Sequence, residues 1–199
     1  MLKISLLFVV LFGLSACTKT QPYIKQYKLD TYVHTNVDKQ TMCKEKTLKV
    51  AHAFSSNSLM LDKMNYMSDT YQMDTFTQSQ WIETPNKAIT MQTIKAVEYA
   101  QMYKNVVGVE SRLHSDYILE NSIEDFVQYF SKDETESYVK VVIVATLIDA
   151  KTKTTLGHKR FEKIKKSSSL DAYGGVVALN QALTVVLEDE VKWLGETCR

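Results

Sequence analysis

Four histidines, His34, His52, His114 and His158, are the side chains best suited to moving protons near neutral pH, and they are scattered along a chain of 199 residues. None stands in the His-Glu-x-x-His spacing that puts two metal ligands and a base on one helix face, and no serine sits within Gly-x-Ser-x-Gly. His114-Ser115-Asp116 holds the residue types of a hydrolytic triad. Neighbours on a strand point to opposite faces, however, so the tripeptide makes no local relay. Gly174-Gly175 is followed by neither Lys-Ser nor Lys-Thr, and six glycines in all leave no phosphate-cradling loop. The expectation is a protein that is not an enzyme, holds no metal or cofactor, and works by binding.

Cysteine carries the chemistry that remains. Met1-Leu2-Lys3 is a positive start, Ile4 to Gly13 is an apolar run of ten residues, and the small pair Ser15-Ala16 precedes Cys17. Leu14-Ser15-Ala16-Cys17 reads as a bacterial lipobox. It predicts cleavage between Ala16 and Cys17, a diacylglycerol on the Cys17 thiol and a further fatty chain on the new amino group. Each buried CH2 contributes about 0.8 kcal/mol, so two or more chains form a stable anchor. The run from Ile4 to Ala16 is short for the roughly 30 Å hydrocarbon core, which argues against a spanning helix.

Cys43 and Cys198 are then left near opposite ends of the folded part. In an oxidising compartment they pair as a disulfide closing a loop of 155 residues, or remain two free thiols; the residues alone leave both open. A bond would add roughly 4 to 5 kcal/mol by chain entropy. Neither cysteine has a second Cys or a His at metal-ligand spacing.

Losing residues 1–16 removes Lys3 and no acid, which brings the 24 Lys and Arg to 23 against 23 Asp and Glu. A neutral domain lacks the basic stripe of a nucleic-acid binder and the charge to sit on anionic lipid unaided. Its length suits one domain with a sizeable core.

The residues after Cys17 must position whatever binds. Residues 17–46 are mostly polar, with Pro22 as an early breaker and one candidate strand, Tyr23 to Leu29, and read as a tether. From residue 47 to 199 the pattern is that of a domain. Leu48, Val50 and Ala53-Phe54 mark a first strand, Leu59 to Met67 a second and Tyr71 to Phe76 a third, the last two joined by a hairpin at Ser68-Asp69. Thr84 as N-cap and Pro85 at the first helical position start a helix running to about Lys104. Val106 to Val109 is a short strand. Tyr117 to Phe130 is a long one, with Tyr117, Leu119, Ile123, Val127 and Tyr129 on its buried parity. Tyr138 to Ile148 is the most β-branched stretch and reads as central, turning at Asp149 to Lys153 into Thr155 to Lys163 with Phe161 as its apolar anchor. Ser167-Ser168-Ser169 caps a last helix, Leu170 to Leu194, whose face includes Tyr173, Val176, Asn180, Leu183, Leu187 and Val191. Gly174-Gly175 weakens its first turns. Hairpin-linked strands with two helices gathered on one side make an α+β two-layer sandwich, its sheet mostly antiparallel.

Several of these residues allow two readings. Trp81 and Trp193 suit core and cap positions or ligand platforms. Met64, Tyr66, Met67, Tyr71, Met73 and Phe76 suit two strands of a sandwich or an adaptable face for acyl chains. Asn180, on an apolar helix face, suits a buried hydrogen bond that fixes packing register. Asp133-Glu134 and Glu188-Asp189-Glu190 read as solvated charge runs.

The lipobox, Tyr27-Lys28-Leu29, the Tyr71 to Trp81 strand closing in Trp81-Ile82-Glu83-Thr84-Pro85, Ser115 to Leu119, Val141 to Asp149, and Ala178-Leu179-Asn180-Gln181-Ala182 with Trp193-Leu194 occur in this order. In them the chain resembles the ABC-type transport auxiliary lipoprotein component family, of the paraquat-inducible protein C type. The resemblance implies a periplasm-facing lipoprotein serving a mammalian-cell-entry (MCE) type transport system that moves lipids or other apolar molecules between the two membranes, with an MCE-domain protein as partner. A homo-oligomer is compatible with it. Thr18, where an aspartate commonly retains lipoproteins in the inner membrane, makes the outer membrane the expected site. A structural envelope lipoprotein scaffolding another complex is the alternative.

Overall fold

A computed structural model describes residues 23–34 and 43–198. In chain order they form β1 (Lys25–Tyr27), β2 (Thr47–Val50), β3 (Phe54–Ser55), a 3-10 turn (Asn57–Met60), β4 (Lys63–Asp69), β5 (Gln72–Trp81), α1 (Pro85–Ala100), β6 (Asn105–Gly108), β7 (Tyr117–Phe130), β8 (Ser137–Asp149), β9 (Thr155–Lys166) and α2 (Ala172–Thr197). All nine strands join one mixed sheet. β7 is its spine. One edge of β7 pairs antiparallel with β8 along its whole length, and β8 pairs antiparallel with β9. The other edge takes β2, β3 and β4 in succession, each parallel. β6 extends the β2 end in parallel, while β5 pairs antiparallel with β4 and carries β1 in parallel at its far side. The α+β sandwich is therefore present. Its long pairings are antiparallel and its short joins parallel.

The β-branched run of β8 explains its central place. Val139, Val141, Ile143, Ala145 and Leu147 are fully buried, and the matching positions Leu119, Asn121 and Ile123 of β7 face the same way. The expected alternation in β7 then breaks. Glu124 has no partner in β8, so a bulge shifts the register between Ile123 and Asp125. Beyond it Phe126 and Gln128 turn inward, and Val127 and Tyr129 turn to the outer face. The inner face as expected from simple parity is thus corrected by one residue. The bulge costs one ladder position and aims Gln128 at the start of α2.

Both helices cover the inner face. α1 buries Ile89, Thr93, Ala96 and Val97, and α2 buries Val176, Leu179, Leu183, Leu187, Val191 and Leu194. Pro85 does occupy the first helical position, but the Thr84 hydroxyl donates to Asn86 Oδ1 at 2.7 Å and makes no cap bond. α1 ends at Ala100, short of Lys104, because Gln101 takes a left-handed conformation (φ 53°). Met102 and Tyr103 then drop into the core. The cap of α2 is Asp171, whose carboxylate accepts from Gly174 N at 2.9 Å, rather than the three serines. The last helix consequently starts two residues later than Leu170. Tyr173 lies outside its buried face, being mostly exposed.

Gly174 and Gly175 are packed rather than loose. A Cβ on Gly175 would overlap the Gln128 side chain, and one on Gly174 would overlap Ser169. The chain from Leu59 begins as the 3-10 turn and becomes strand only at Lys63, and the following hairpin turns at Thr70-Tyr71, two residues past Ser68-Asp69.

Candidate functional site

The described chain begins in a segment that crosses the helix layer, and two amides hold it there. Gln92, buried on α1, accepts from Thr31 N (3.1 Å) and from the Thr31 hydroxyl (2.9 Å), and its Nε2 donates to Leu29 O (3.1 Å). Asn180 on α2 accepts from Asp30 N at 2.7 Å and donates to Val176 O at 3.0 Å and Lys28 O at 3.4 Å. The two side chains act on consecutive residues, so the segment is strapped to both helices through its backbone. Leu29 and Val33 are buried beneath it, and Glu188 accepts from His34 N at 3.3 Å. Asn180 is half-buried and bonds the backbone of the strap at the surface, not through the buried hydrogen bond expected of it. Gln92 was not singled out from sequence, although a Gln within the Ile89, Thr93, Ala96 stripe is the kind of buried amide that needs partners.

Beside this strap lies a cavity of about 290 Å³ whose walls are chiefly apolar: Leu29, Ile82, Ala88 and Met91, with Lys28 and Lys87 at the rim. The rim charges are paired, Lys28 with Asp30 at 2.7 Å and Lys87 with Glu83 at 2.7 Å.

Cys43 and Cys198 are joined as a disulfide, with Cα atoms 5.9 Å apart. The Tyr103 hydroxyl lies 3.3 Å from Cys198 Sγ, and burial pushes its pKa upward. Trp81, 4 % exposed, packs its ring 6.0 Å from Phe126, while Trp193 meets Phe161 edge-on at 5.9 Å. Pro85 is buried as well. The two tryptophans and the proline therefore serve the interior. Met64, Tyr66 and Phe76 likewise belong to the inner side, where Tyr66 contacts Phe76 and Phe130 at 4.7 and 5.4 Å. Met67 pairs with Tyr129 and Met73 on the outer face, and Tyr71 is almost wholly exposed. Ala16 and Cys17 lie outside the described residues.

The outer face of the sheet carries a second polar group. Tyr129 donates to Asp125 Oδ2 at 2.7 Å, Lys140 approaches the same oxygen at 3.7 Å, and the Tyr129 and Tyr138 rings stack at 5.2 Å. Burial raises the Asp125 pKa against the pull of Tyr129 and Lys140. Asp116, from the His114-Ser115-Asp116 tripeptide, plays a structural part, accepting from Thr47 N at 2.8 Å and pairing with Lys46 at 3.3 Å. The Thr47 N–H is the main reason its pKa is lowered. Among the described residues no group of three or more His, Cys, Asp or Glu is placed to hold a metal ion, and no helix is long and apolar enough to cross a membrane.

No protein-family model and no curated protein matches the chain. Solved structures do resemble it. A DUF330 protein from Xanthomonas campestris matches with a TM-score of 0.79 at 18 % identity, over 87 % of this chain and 95 % of that one. An uncharacterized protein matches with a TM-score of 0.67 at 14 % identity, over 86 % and 99 %. A PelC dodecamer from Paraburkholderia phytofirmans matches with a TM-score of 0.50 at 11 % identity, over 78 % and 91 %. At such identities the likeness is one of fold.

Proposed function

We propose that the protein is a lipoprotein anchored through Cys17 to the outer membrane, facing the periplasm, and that it serves an MCE-type ABC transport system as an auxiliary component. The observation that carries this reading is the strap. A chain leaving an acylated cysteine enters the domain at residues 23–34, and amide side chains on both helices, the buried Gln92 and the half-buried Asn180, fasten it, as a tethered module needs. The resemblance of Trp81 to Pro85 and Ala178 to Trp193 to the auxiliary lipoprotein family supports the choice of system. Those motif residues are largely interior, so the partner is read by surface they shape rather than by themselves.

A neutral domain binds its partner through apolar and hydrogen-bonding contacts, which salt screens little. The PelC dodecamer, sharing the fold, makes assembly of several copies compatible with this reading. The test is crosslinking in intact cells, comparing the native protein with Cys17→Ala. Recovery of an MCE protein that depends on Cys17 and persists at moderate salt is the expected result. Recovery of other envelope proteins and no MCE protein, with both expressed, replaces the transporter reading by a scaffold.

A further inference from the structure

Glu190 stands on the wrong side of its helix for a charge. It belongs to the acidic run Glu188-Asp189-Glu190, yet it is 0 % exposed, while Asp189 is open to solvent and pairs with Lys192 at 3.4 Å. On α2 its neighbours one turn away, Val186, Leu187 and Leu194, are buried and apolar. Asn121 of β7 lies near enough to the Glu190 carboxyl to oppose the effect of burial on its pKa, and Asn121 Nδ2 lies 3.4 Å from the Thr93 hydroxyl of α1. The three polar groups thus come from three elements and meet between the helix layer and the sheet.

Their hydrogen bonds do not close if Glu190 is ionised. Both of its oxygens and Asn121 Oδ1 lack partners among the described residues. With its NH2 turned to the carboxylate the Asn121 amide donates to one oxygen and leaves the other bare; with its oxygen turned there it donates nothing. Among the described residues no cation compensates. The buried face of α1 carries Ile89, Thr90, Gln92, Thr93, Ala96 and Val97, the inner face of β8 carries Val141, Ile143, Ala145 and Leu147, and β7 adds Leu119 and Ile123. None of these titrates. β9, which also packs on α2, shares the inner face through Lys159 and Lys163 beside Phe161, yet only burial and Asn121 bear on the Glu190 carboxyl. The charged residues nearest on α2, Glu188, Asp189 and Lys192, lie on its partly or fully exposed side. A carboxylic acid, by contrast, supplies a donor to Asn121 Oδ1 and removes the uncompensated charge.

We infer that Glu190 is kept as a neutral acid which, with Asn121 and Thr93, forms a proton-dependent fastening between α2 and the sheet, firm in weak acid and loosened as the pH rises past neutrality.

Burial raises the Glu190 pKa from 4.5 to about 7. Between those values the folded chain holds a proton that the unfolded chain has lost. The unfolding equilibrium constant therefore climbs by up to about tenfold per pH unit, on the order of a hundredfold in all, and then levels off. Asp125, also raised by burial, contributes in the same direction from the outer face and is untouched by changes at Glu190.

The experiment is urea unfolding of the full chain, disulfide intact, from pH 5 to pH 9, for the native protein and Glu190→Gln. Glutamine keeps the shape and a donor without the titration. The ratio of their unfolding constants is expected to change by on the order of a hundredfold between pH 5 and pH 8. A constant ratio overturns the inference. Carbon-13 carboxyl NMR of the glutamate-labelled native protein reads the same group without a variant. One glutamate titrating near neutrality is expected, and all glutamates titrating in the ordinary carboxylate range overturns it.

Discussion

Gln128 and Gly175 are complementary at the level of single atoms. The Gln128 amide, almost fully buried, donates to the Ser137 hydroxyl at 3.0 Å and lies 3.4 Å from Asp171 O, the residue that caps α2. It reaches the helix start only because Gly175 has no Cβ. Gly175→Ala should therefore destabilise by about 1 to 3 kcal/mol through overpacking, even though alanine is worth about 1 kcal/mol more than glycine in a helix. Gln128→Ala in the same chain removes the obstacle, and the double variant is expected to be more stable than the sum of the two single losses. Urea unfolding of the four proteins of this cycle measures it. Additive losses would show that the contact is not the reason for the glycine.

Among the elements, β7 decides how the layers meet, through the bulge at Glu124. Deleting Glu124 removes the bulged residue and joins Ile123 directly to Asp125, so the ladder becomes regular with every pairing to β8 kept and Phe126 and Gln128 still on the inner face. The expected result is a cooperative unfolding transition and a near-ultraviolet circular dichroism spectrum close to those of the native protein. Glu124→Ala, which removes only an exposed partner of Arg160, should stay within about 0.5 kcal/mol of the native protein. Loss of the cooperative transition on deletion would show that the local twist of the bulge, and not only the facing of Phe126 and Gln128, is needed to seat β7.

The extent of β7 and β8 was legible in the sequence, since Tyr117 to Phe130 and the β-branched run around Val141 to Val144 carry a periodicity that needs no partner to be seen. The bulge was not, because an extra residue exists only relative to the strand beside it. α1 could be located from Thr84-Pro85, but its end depends on the left-handed Gln101, a residue type that gives no stop signal. Glu190 was legible and missed. It lies four residues after Val186, three after Leu187 and four before Leu194, on the apolar stripe, and the run of acids hid the period. The strap is a different case: its hydrogen bonds span 61 and 150 residues of sequence, and nothing local announces them.

For the whole molecule, the Cys43–Cys198 bond joins the entry of the main domain to the end of α2 across 155 residues. Reduction should lower stability by roughly 2 to 5 kcal/mol. Alkylation of the unfolded, unreduced chain should find Cys43 and Cys198 blocked. Two reactive thiols there, or a thermal midpoint unmoved by reductant, would show that the bond does not hold the fold. Local backbone bonds seat both of its ends: Lys46 N bonds back to Cys43 O, Lys104 N to Lys46 O and Cys198 N to Leu194 O.

That closure sorts the protein mechanically into a part that yields and a part that does not. Tension applied from the N-terminal side first loads β1 against β5, then the bonds of Asp30 and Thr31 to Asn180 and Gln92, one after another. When these part, the chain extends only as far as Cys43, because beyond it the covalent loop passes the force straight to Cys198. The 20 steps from Tyr23 to Cys43, at about 3.5 Å each, extend to roughly 70 Å at most, and the slack is that length less the span the segment already covers. The molecule is thus a body on an extensible leash, which gives way at β1 and then at the strap while β2 to β9 and both helices stay in place.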